Sequence, residues 1–82
     1  MKEAISRLIG THVAARRTDR KLTQEEVAQL AGISRQALSE IERGTQAPRW
    51  STLYEIAHVL GCEAWDLMPS YKQVVALWQQ TH

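Results

Sequence analysis

The chain has 82 residues, enough for one small domain with one core, and 44% of them are hydrophobic, which favours a folded globule over disorder. No apolar run approaches the roughly 20 residues that a membrane span requires, and the N-terminus does not have the pattern of a signal peptide. The single cysteine, Cys62, excludes an internal disulfide and fits a reducing compartment. We therefore expect a cytoplasmic protein.

The net charge of +1 is unevenly distributed along the chain. Residues 1–49 contain nine Lys/Arg and six Asp/Glu, whereas residues 50–82 contain one Lys and three acidic residues. The basic half is suited to face phosphate, but charge asymmetry is also common in proteins that bind no nucleic acid. Charge alone therefore leaves both interpretations open.

Helical spacing of apolar residues recurs along the chain and predicts an all-α fold. A first helix is predicted from about Lys2 to Thr18, with an apolar stripe that consists of Ile5, Leu8, Ile9, His12 and Val13. Thr23 opens a second helix with a capping-box sequence, and Gly32 ends it. Ser34 is predicted to cap a third helix, which ends at about Arg43 before Gly44.

The second half of the chain continues in the same way after a loop at residues 45–48. A fourth helix is predicted from about Trp50 to Leu60, and a short turn through residues 66–68 ends at Pro69. A last helix is predicted from Ser70 to about Gln80. Because no repeat, low-complexity segment or long linker interrupts these elements, we expect a single domain over residues 1–82.

Residues 24–43 have the pattern of two short helices that meet at a tight turn. Ala28 supplies the small residue that a steep helix crossing needs, and Gly32 supplies the turn. The apolar residues between the two helices are Val27, Ile33, Leu38 and Ile41. This joint match is more specific than any single residue.

The third helix has a polar outer face when its residues are placed at 100° intervals. Leu38 and Ile41 define the buried side, and the opposite side consists of Arg35, Gln36, Ser39, Glu40 and Arg43. A DNA major groove admits one helix and presents donors and acceptors on its base edges. An isolated helix with such a face would be read as an ordinary solvated surface, but the preceding helix and turn favour DNA recognition.

The segment Leu22–Gly44 resembles the Cro/phage-repressor (XRE-type) helix-turn-helix family. It contains Leu-Thr-Gln-Glu-Glu-Val-Ala-Gln-Leu-Ala-Gly-Ile-Ser-Arg-Gln-Ala-Leu-Ser-Glu-Ile-Glu-Arg-Gly, and the similarity covers about residues 7–68. The resemblance implies a compact five-helix repressor-type domain with Ser34–Arg43 as the recognition helix. This chain adds a C-terminal helix.

The resemblance also implies roles for individual residues. By position, the base contacts come from Arg35, Gln36, Ser39 and Glu40, and the phosphate contacts come from Gln24, Ser34 and Arg43. The family often pairs an arginine of the first helix with a glutamate late in the recognition helix, and Arg17 and Glu42 occupy these positions. Because the helical angles also place Glu42 near the buried edge, we assign this pair to structure rather than to DNA readout.

Two residues depart from the family pattern. Arg49 stands where many relatives have a serine that caps the fourth helix, so its side chain either contacts phosphate or the minor groove or lies on the surface without a ligand. Trp50 follows at a position where an aliphatic residue is common. We expect Trp50 to pack in the core or at its rim rather than to stack on a base.

The last helix has one apolar face, which consists of Tyr71, Val74, Val75 and Trp78. One recognition helix reads few base pairs, and family members usually dimerise so that two such helices lie about 34 Å apart on a palindromic site. We therefore expect a homodimer that uses this face. The alternative is that the face packs on Ile5 and Leu8 of the chain's own first helix.

These features favour a transcriptional regulator, most often a repressor in this family, that binds double-stranded DNA at a palindromic operator. It would be cytoplasmic and nucleoid-associated in a prokaryote or a phage-infected cell. Two alternatives share the same module: a restriction–modification controller protein, and an antitoxin with a toxin as protein partner. A protein-interaction module that binds no DNA would need an apolar or acidic outer face. Glu40 mildly favours this alternative, and Arg35, Gln36 and Arg43 argue against it.

Nothing in the sequence favours an enzyme. His12, His58 and His82 have no metal-ligand spacing with Cys62 or with each other. No glycine-rich phosphate loop or nucleophile motif is present. We therefore expect no metal, no cofactor and no catalysis.

Overall fold

The computed structural model describes all residues from Met1 to His82 and contains six helices and no strand. The helices are α1 Lys2–Asp19, α2 Gln24–Ala31, α3 Arg35–Arg43, α4 Trp50–Leu60, α5 Ala64–Leu67 and α6 Tyr71–Thr81. The all-α prediction is confirmed, and the short turn predicted before Pro69 is the helix α5. No helix is both long and apolar enough to cross a membrane.

The core is aliphatic and lies between α1, α2, α3, α4 and α5. Its central cluster has 13 buried residues, of which the largest fully buried are Leu38, Ile56, Leu60, Leu67, Val13 and Val27. None of the three tryptophans and two tyrosines belongs to the buried set. The aliphatic side chains therefore complete the core without the aromatic residues.

Each of the first four helices, α1 to α4, ends in the same hydrogen-bonded turn. The amide of the residue directly after the left-handed position donates to the carbonyl five residues earlier, as in Ile33 to Ala28 at 3.0 Å and Thr45 to Glu40 at 3.0 Å. The left-handed residue is a glycine after α2, α3 and α4, and it is Lys21 after α1. These turns satisfy carbonyls that the helices leave unpaired.

Helix α1 crosses the C-terminal end of α3 with the backbones in close contact. A Cβ on Gly10 would overlap the carbonyl oxygen of Ile41 and lie 2.6 Å from that of Glu42. A Cβ on Gly44 would lie 2.7 Å from the Cα of Arg7. This crossing fixes where α3 ends relative to α1.

Helix α6 packs on α1. This contact divides the apolar face that the sequence assigned to a dimer. Val74 is only 6% exposed and Trp78 is half-buried, whereas Tyr71 is 78% exposed. Because the Val74 side chain is already covered within one chain, it has little surface left for a second copy. For Val74, the structure therefore agrees with the alternative, in which this face packs on the chain's own first helix.

Candidate nucleic-acid interface

The turn between α2 and α3 has the geometry that its sequence predicts. The Thr23 hydroxyl accepts a hydrogen bond from the Glu26 amide at 3.1 Å, and the Glu26 carboxylate accepts one from the Thr23 amide at 2.9 Å. These bonds favour the ionised carboxylate and lower the pKa of Glu26. Gly32 has a φ of +74° with open space around a Cβ position, so the turn needs glycine for its conformation and not for room.

Helix α3 presents one polar face and one buried face. Ser34 caps it, since its hydroxyl accepts a hydrogen bond from the Ala37 amide at 3.0 Å. Leu38 and Ile41 are buried, as their spacing predicts. On the other side, Arg35, Gln36 and Arg43 are exposed, and Ser39 and Glu40 are half-buried. The five residues predicted for the outer face are thus carried by one short, capped helix.

An ion pair ties α1 to the last turn of α3. The Arg17 guanidinium donates from Nε to Glu42 Oε2 at 2.7 Å and from Nη2 to Oε1 at 3.1 Å, and its Nη1 donates to the Leu22 carbonyl at 2.8 Å. The Glu42 side chain is 7% exposed and that of Arg17 is 16% exposed. The hydrogen bond to Glu42 raises the pKa of Arg17 above its ordinary value. The bidentate geometry fixes both side chains.

Gln24 joins this network at the first residue of α2. Its Nε2 donates to Glu42 Oε1 at 2.9 Å, so one glutamate contacts α1 and α2 as well as its own helix. An amide NH₂ carries two hydrogens, and the second remains for a phosphate oxygen. Ser34 is similar, because its capping bond uses the oxygen and leaves the hydroxyl hydrogen to donate.

Pairing within the protein also determines the charge of the exposed face. Helix α3 carries two glutamates, and Arg17 neutralises one of them, Glu42. The outer face then has the guanidinium groups of Arg35 and Arg43 against the single carboxylate of Glu40. A net positive face of this kind attracts a duplex that carries one negative charge per about 1.7 Å of its axis.

The start of α4 differs from the sequence expectation. Arg49 occupies the N-cap position without a side-chain capping bond, and its side chain is exposed. Trp50 is 64% exposed, so the expectation that it packs in the core or at its rim is wrong. The inner face of α4 is filled by Leu53, Ile56, Ala57 and Leu60, and the indole lies outside it, with its ring centroid 6.5 Å from that of Tyr54.

Three features that position this interface were not foreseen from the sequence: the Gly10 crossing, the Leu22 carbonyl as a partner of Arg17, and the Gln24–Glu42 hydrogen bond. Gly10 had a usable signal, because glycine inside a helix costs roughly 0.5–1 kcal/mol relative to alanine and so indicates a close approach. The other two involve polar groups whose partners depend on the helix packing.

The structure was also searched for a metal site and for a reactive thiol. No group of three or more His, Cys, Asp or Glu side chains is arranged to hold a metal ion. Cys62 packs against the core, and burial raises the pKa of its thiol, which keeps it protonated.

Comparison with known proteins identifies the family. Residues 13–64 match the model of a helix-turn-helix family, HTH_3, which spans the whole α2–turn–α3 unit. The chain belongs to this family.

Comparisons with individual relatives of this helix-turn-helix protein agree with the family assignment. It is 44% identical over 62 residues to the HTH-type transcriptional regulator y4dJ of Sinorhizobium fredii, covering 76% of this chain and 80% of that protein. It is similar to the P22 c2 repressor protein in complex with a synthetic operator, with 30% identity, a TM-score of 0.71, and coverage of 73% and 91% of the two chains. It is also similar to the restriction–modification controller protein C.AhdI from Aeromonas hydrophila, with 28% identity, a TM-score of 0.73, and coverage of 74% and 92%.

Proposed function

We propose that this helix-turn-helix protein is a transcriptional regulator that binds double-stranded DNA in a sequence-dependent manner and acts as a repressor. The observation that carries the proposal is the outer face of α3, which is polar, net positive and held at a fixed angle by the Arg17–Glu42–Gln24 network. The solved P22 repressor, which is similar over 91% of its chain, is bound to an operator. We propose that the protein binds DNA in the cytoplasm and catalyses no reaction.

The proposed readout divides the interface into two sets of contacts. Base edges are read by Arg35, Gln36, Ser39 and Glu40, because arginine pairs with guanine, glutamine with adenine and a carboxylate with the cytosine amino group. Phosphates are contacted by Gln24, Ser34, Arg43 and Arg49, which fix the position of α3 in the groove. Because one helix reads few base pairs, two copies are proposed to bind a palindromic operator.

Selection of bound duplexes from a random-sequence pool tests the function directly. We expect one enriched sequence with two-fold symmetry and half-sites about 34 Å apart. The absence of any enriched sequence at low salt would contradict the proposal and would favour a protein-interaction module of the same fold.

Two substitutions test the division of contacts. Gln36→Ala should reduce discrimination at one or two base positions by about 1–3 kcal/mol, whereas Arg43→Ala should weaken all sequences similarly and lower the salt slope by about one. Titrations of the selected duplex and of single-base variants at several salt concentrations measure both effects. Gln79→Ala and Lys72→Ala, exposed substitutions on α6, are matched controls and should change neither. Identical effects of the two α3 substitutions on every sequence would refute the division.

A restriction–modification controller is the second candidate, and the similarity to C.AhdI over 92% of that chain favours it. Both candidates predict the same DNA contacts and differ in the gene that is controlled. Binding of the selected sequence upstream of a methyltransferase or endonuclease gene would distinguish the controller. An antitoxin would instead copurify with a toxin encoded beside it.

A further inference from the structure

A cavity lies between the first turns of α1 and the end of α6. Its volume is about 180 Å³, and its lining includes Glu3, Ala4 and Arg7 from α1 and Leu77, Trp78 and Thr81 from α6. Ala4 is buried, Leu77 and Trp78 are half-buried, and the other three are exposed. The cavity therefore has an apolar floor and a polar rim that is open to solvent.

The wall that α6 contributes is aromatic and ordered by local bonds. The imidazole of His82, which also lines the cavity, stacks on the indole of Trp78 with ring centroids 5.2 Å apart and planes inclined by 28°. The Thr81 hydroxyl donates to the Trp78 carbonyl at 3.1 Å, so its hydrogen is used within the helix. This wall offers a ligand mainly apolar contact.

The wall that α1 contributes adds one charge of each sign. Glu3 and Arg7 are four residues apart, a spacing at which a glutamate and a basic residue can pair on a helix surface. No ion pair joins them, since the one ion pair of the chain is Arg17–Glu42. A carboxylate and a guanidinium therefore stand separately at the rim of an apolar cavity.

We propose that this cavity binds a free α-amino acid with an apolar side chain. The ligand carboxylate pairs with Arg7, its ammonium group pairs with Glu3, and its side chain lies against Leu77 and Trp78. A ligand with one charge fits less well, because one of the two rim charges would then repel it. The inference goes beyond the proposed function and does not depend on it, since no residue of the cavity is assigned to DNA.

The volume sets the size of the ligand side chain. An apolar cavity of about 150 Å³ accommodates one benzene molecule, whereas drug-sized ligands occupy roughly 300–1,000 Å³. The space of about 180 Å³ therefore suits a branched alkyl group or a single phenyl ring.

Amide chemical shifts of the full chain, titrated without DNA, test the site. With L-phenylalanine and with L-leucine, we expect the shift changes to concentrate at residues 3–7 and 77–82, with a Kd on the order of 0.1–1 mM because the rim is open. Three further probes each lack one feature of the ligand: glycine has no apolar side chain, phenylpropanoate has no ammonium group, and phenylethylamine has no carboxylate. Each should bind about three- to tenfold more weakly than L-phenylalanine.

Two substitutions assign the charges to their partners. In Glu3→Gln, L-phenylalanine and phenylpropanoate should bind equally well, and in Arg7→Gln, L-phenylalanine and phenylethylamine should do so, because each variant has lost the group that discriminates. Glu25→Gln and Lys72→Gln, exposed changes outside the cavity, are the matched controls and should preserve the wild-type preferences. Helical circular dichroism should be unchanged in all four variants.

The outcomes that would overturn the site are distinct. Shift changes that are absent, or that are spread over the chain, with both amino acids would exclude a ligand in this cavity. Equal binding of L-phenylalanine, phenylpropanoate and phenylethylamine to the wild type would exclude recognition of the two charges, and this comparison needs no variant to fold. Preferences that survive both Glu3→Gln and Arg7→Gln would exclude the assigned pairing.

Discussion

Lys21 occupies the position that glycine takes at the ends of α2, α3 and α4. It is the one non-glycine residue with a positive φ, +58°, and its amide bonds to the Thr18 carbonyl at 2.9 Å. A side chain in this left-handed conformation costs about 1–2 kcal/mol, because its Cβ crowds the following carbonyl. The helix-end hydrogen bonds therefore hold Lys21 in a backbone conformation that a lysine ordinarily disfavours.

Replacing Lys21 by glycine should stabilise the protein. The expected gain is about 1 kcal/mol, somewhat reduced because glycine also makes the unfolded chain more flexible. Urea unfolding measures the change. Arg20→Gly is the matched control, since Arg20 has an ordinary φ of −88° and should lose stability when replaced. A loss of stability in both variants would show that Lys21 is not strained.

Glu42 is the residue on which three helices converge. Glu42→Ala would leave the Arg17 guanidinium without its carboxylate and remove the acceptor of Gln24, and breaking one side of a buried pair costs about 3–5 kcal/mol. Thermal or urea unfolding measures this loss. Glu25→Ala, an exposed change on the same helix as Gln24, should stay within about 0.5 kcal/mol of wild type. Similar effects of the two substitutions would mean that the network contributes little.

At the scale of helices, the position of the recognition helix depends on how closely α1 and α3 approach. Gly10 lies in the interior of α1, and the carbonyl oxygens at the end of α3 occupy the space that a Cβ would need. Because α1 also carries Arg17, the crossing and the ion pair act on the same end of α3. Helix α3 is thus oriented by backbone contact as well as by charge.

For the Gly10→Ala substitution, the sign of the change in the free energy of unfolding tests the close crossing of α1 and α3. In an unobstructed helix, alanine would stabilise by roughly 0.5–1 kcal/mol relative to glycine. Here the overlap with the Ile41 carbonyl should force the helices apart and destabilise by about 1–3 kcal/mol. Chemical unfolding gives the free energy, and a gain of stability would contradict the close crossing.

At the scale of the whole molecule, the support of the helices is uneven. Helices α1 to α5 share one aliphatic cluster, whereas α6 is held by its contact with α1, and its one buried residue, Val74, lies outside that cluster. A helix with little buried apolar area opens at low free-energy cost. The C-terminal helix is therefore the element best placed to detach while the DNA-binding unit stays folded.

Native-state hydrogen exchange can test this order of stability. Amides in the interior of α6 should exchange faster than those of α4, whose inner face contains four buried residues. Equal protection of the two helices would show that α6 unfolds only with the rest of the chain.

Local chemistry made much of this protein predictable from its sequence. The helix boundaries, the Thr23 capping box, the left-handed Gly32 and Gly44, and the burial of Leu38 follow from spacing and from hydrogen bonds between residues close in the chain. The polar outer face of α3 follows from the same periodicity. These features depend on a few neighbouring residues, and so the sequence alone determines them.

Packing between distant segments decided the rest. The exposure of Trp50, the covering of Val74 by α1, the Gln24–Glu42 bond and the Gly10 crossing each depend on where another helix lies. An apolar stripe indicates that a face will be covered, but it does not indicate what will cover it. Only the tertiary structure settles this, because burial is non-directional and the available partners are set by all six helices together.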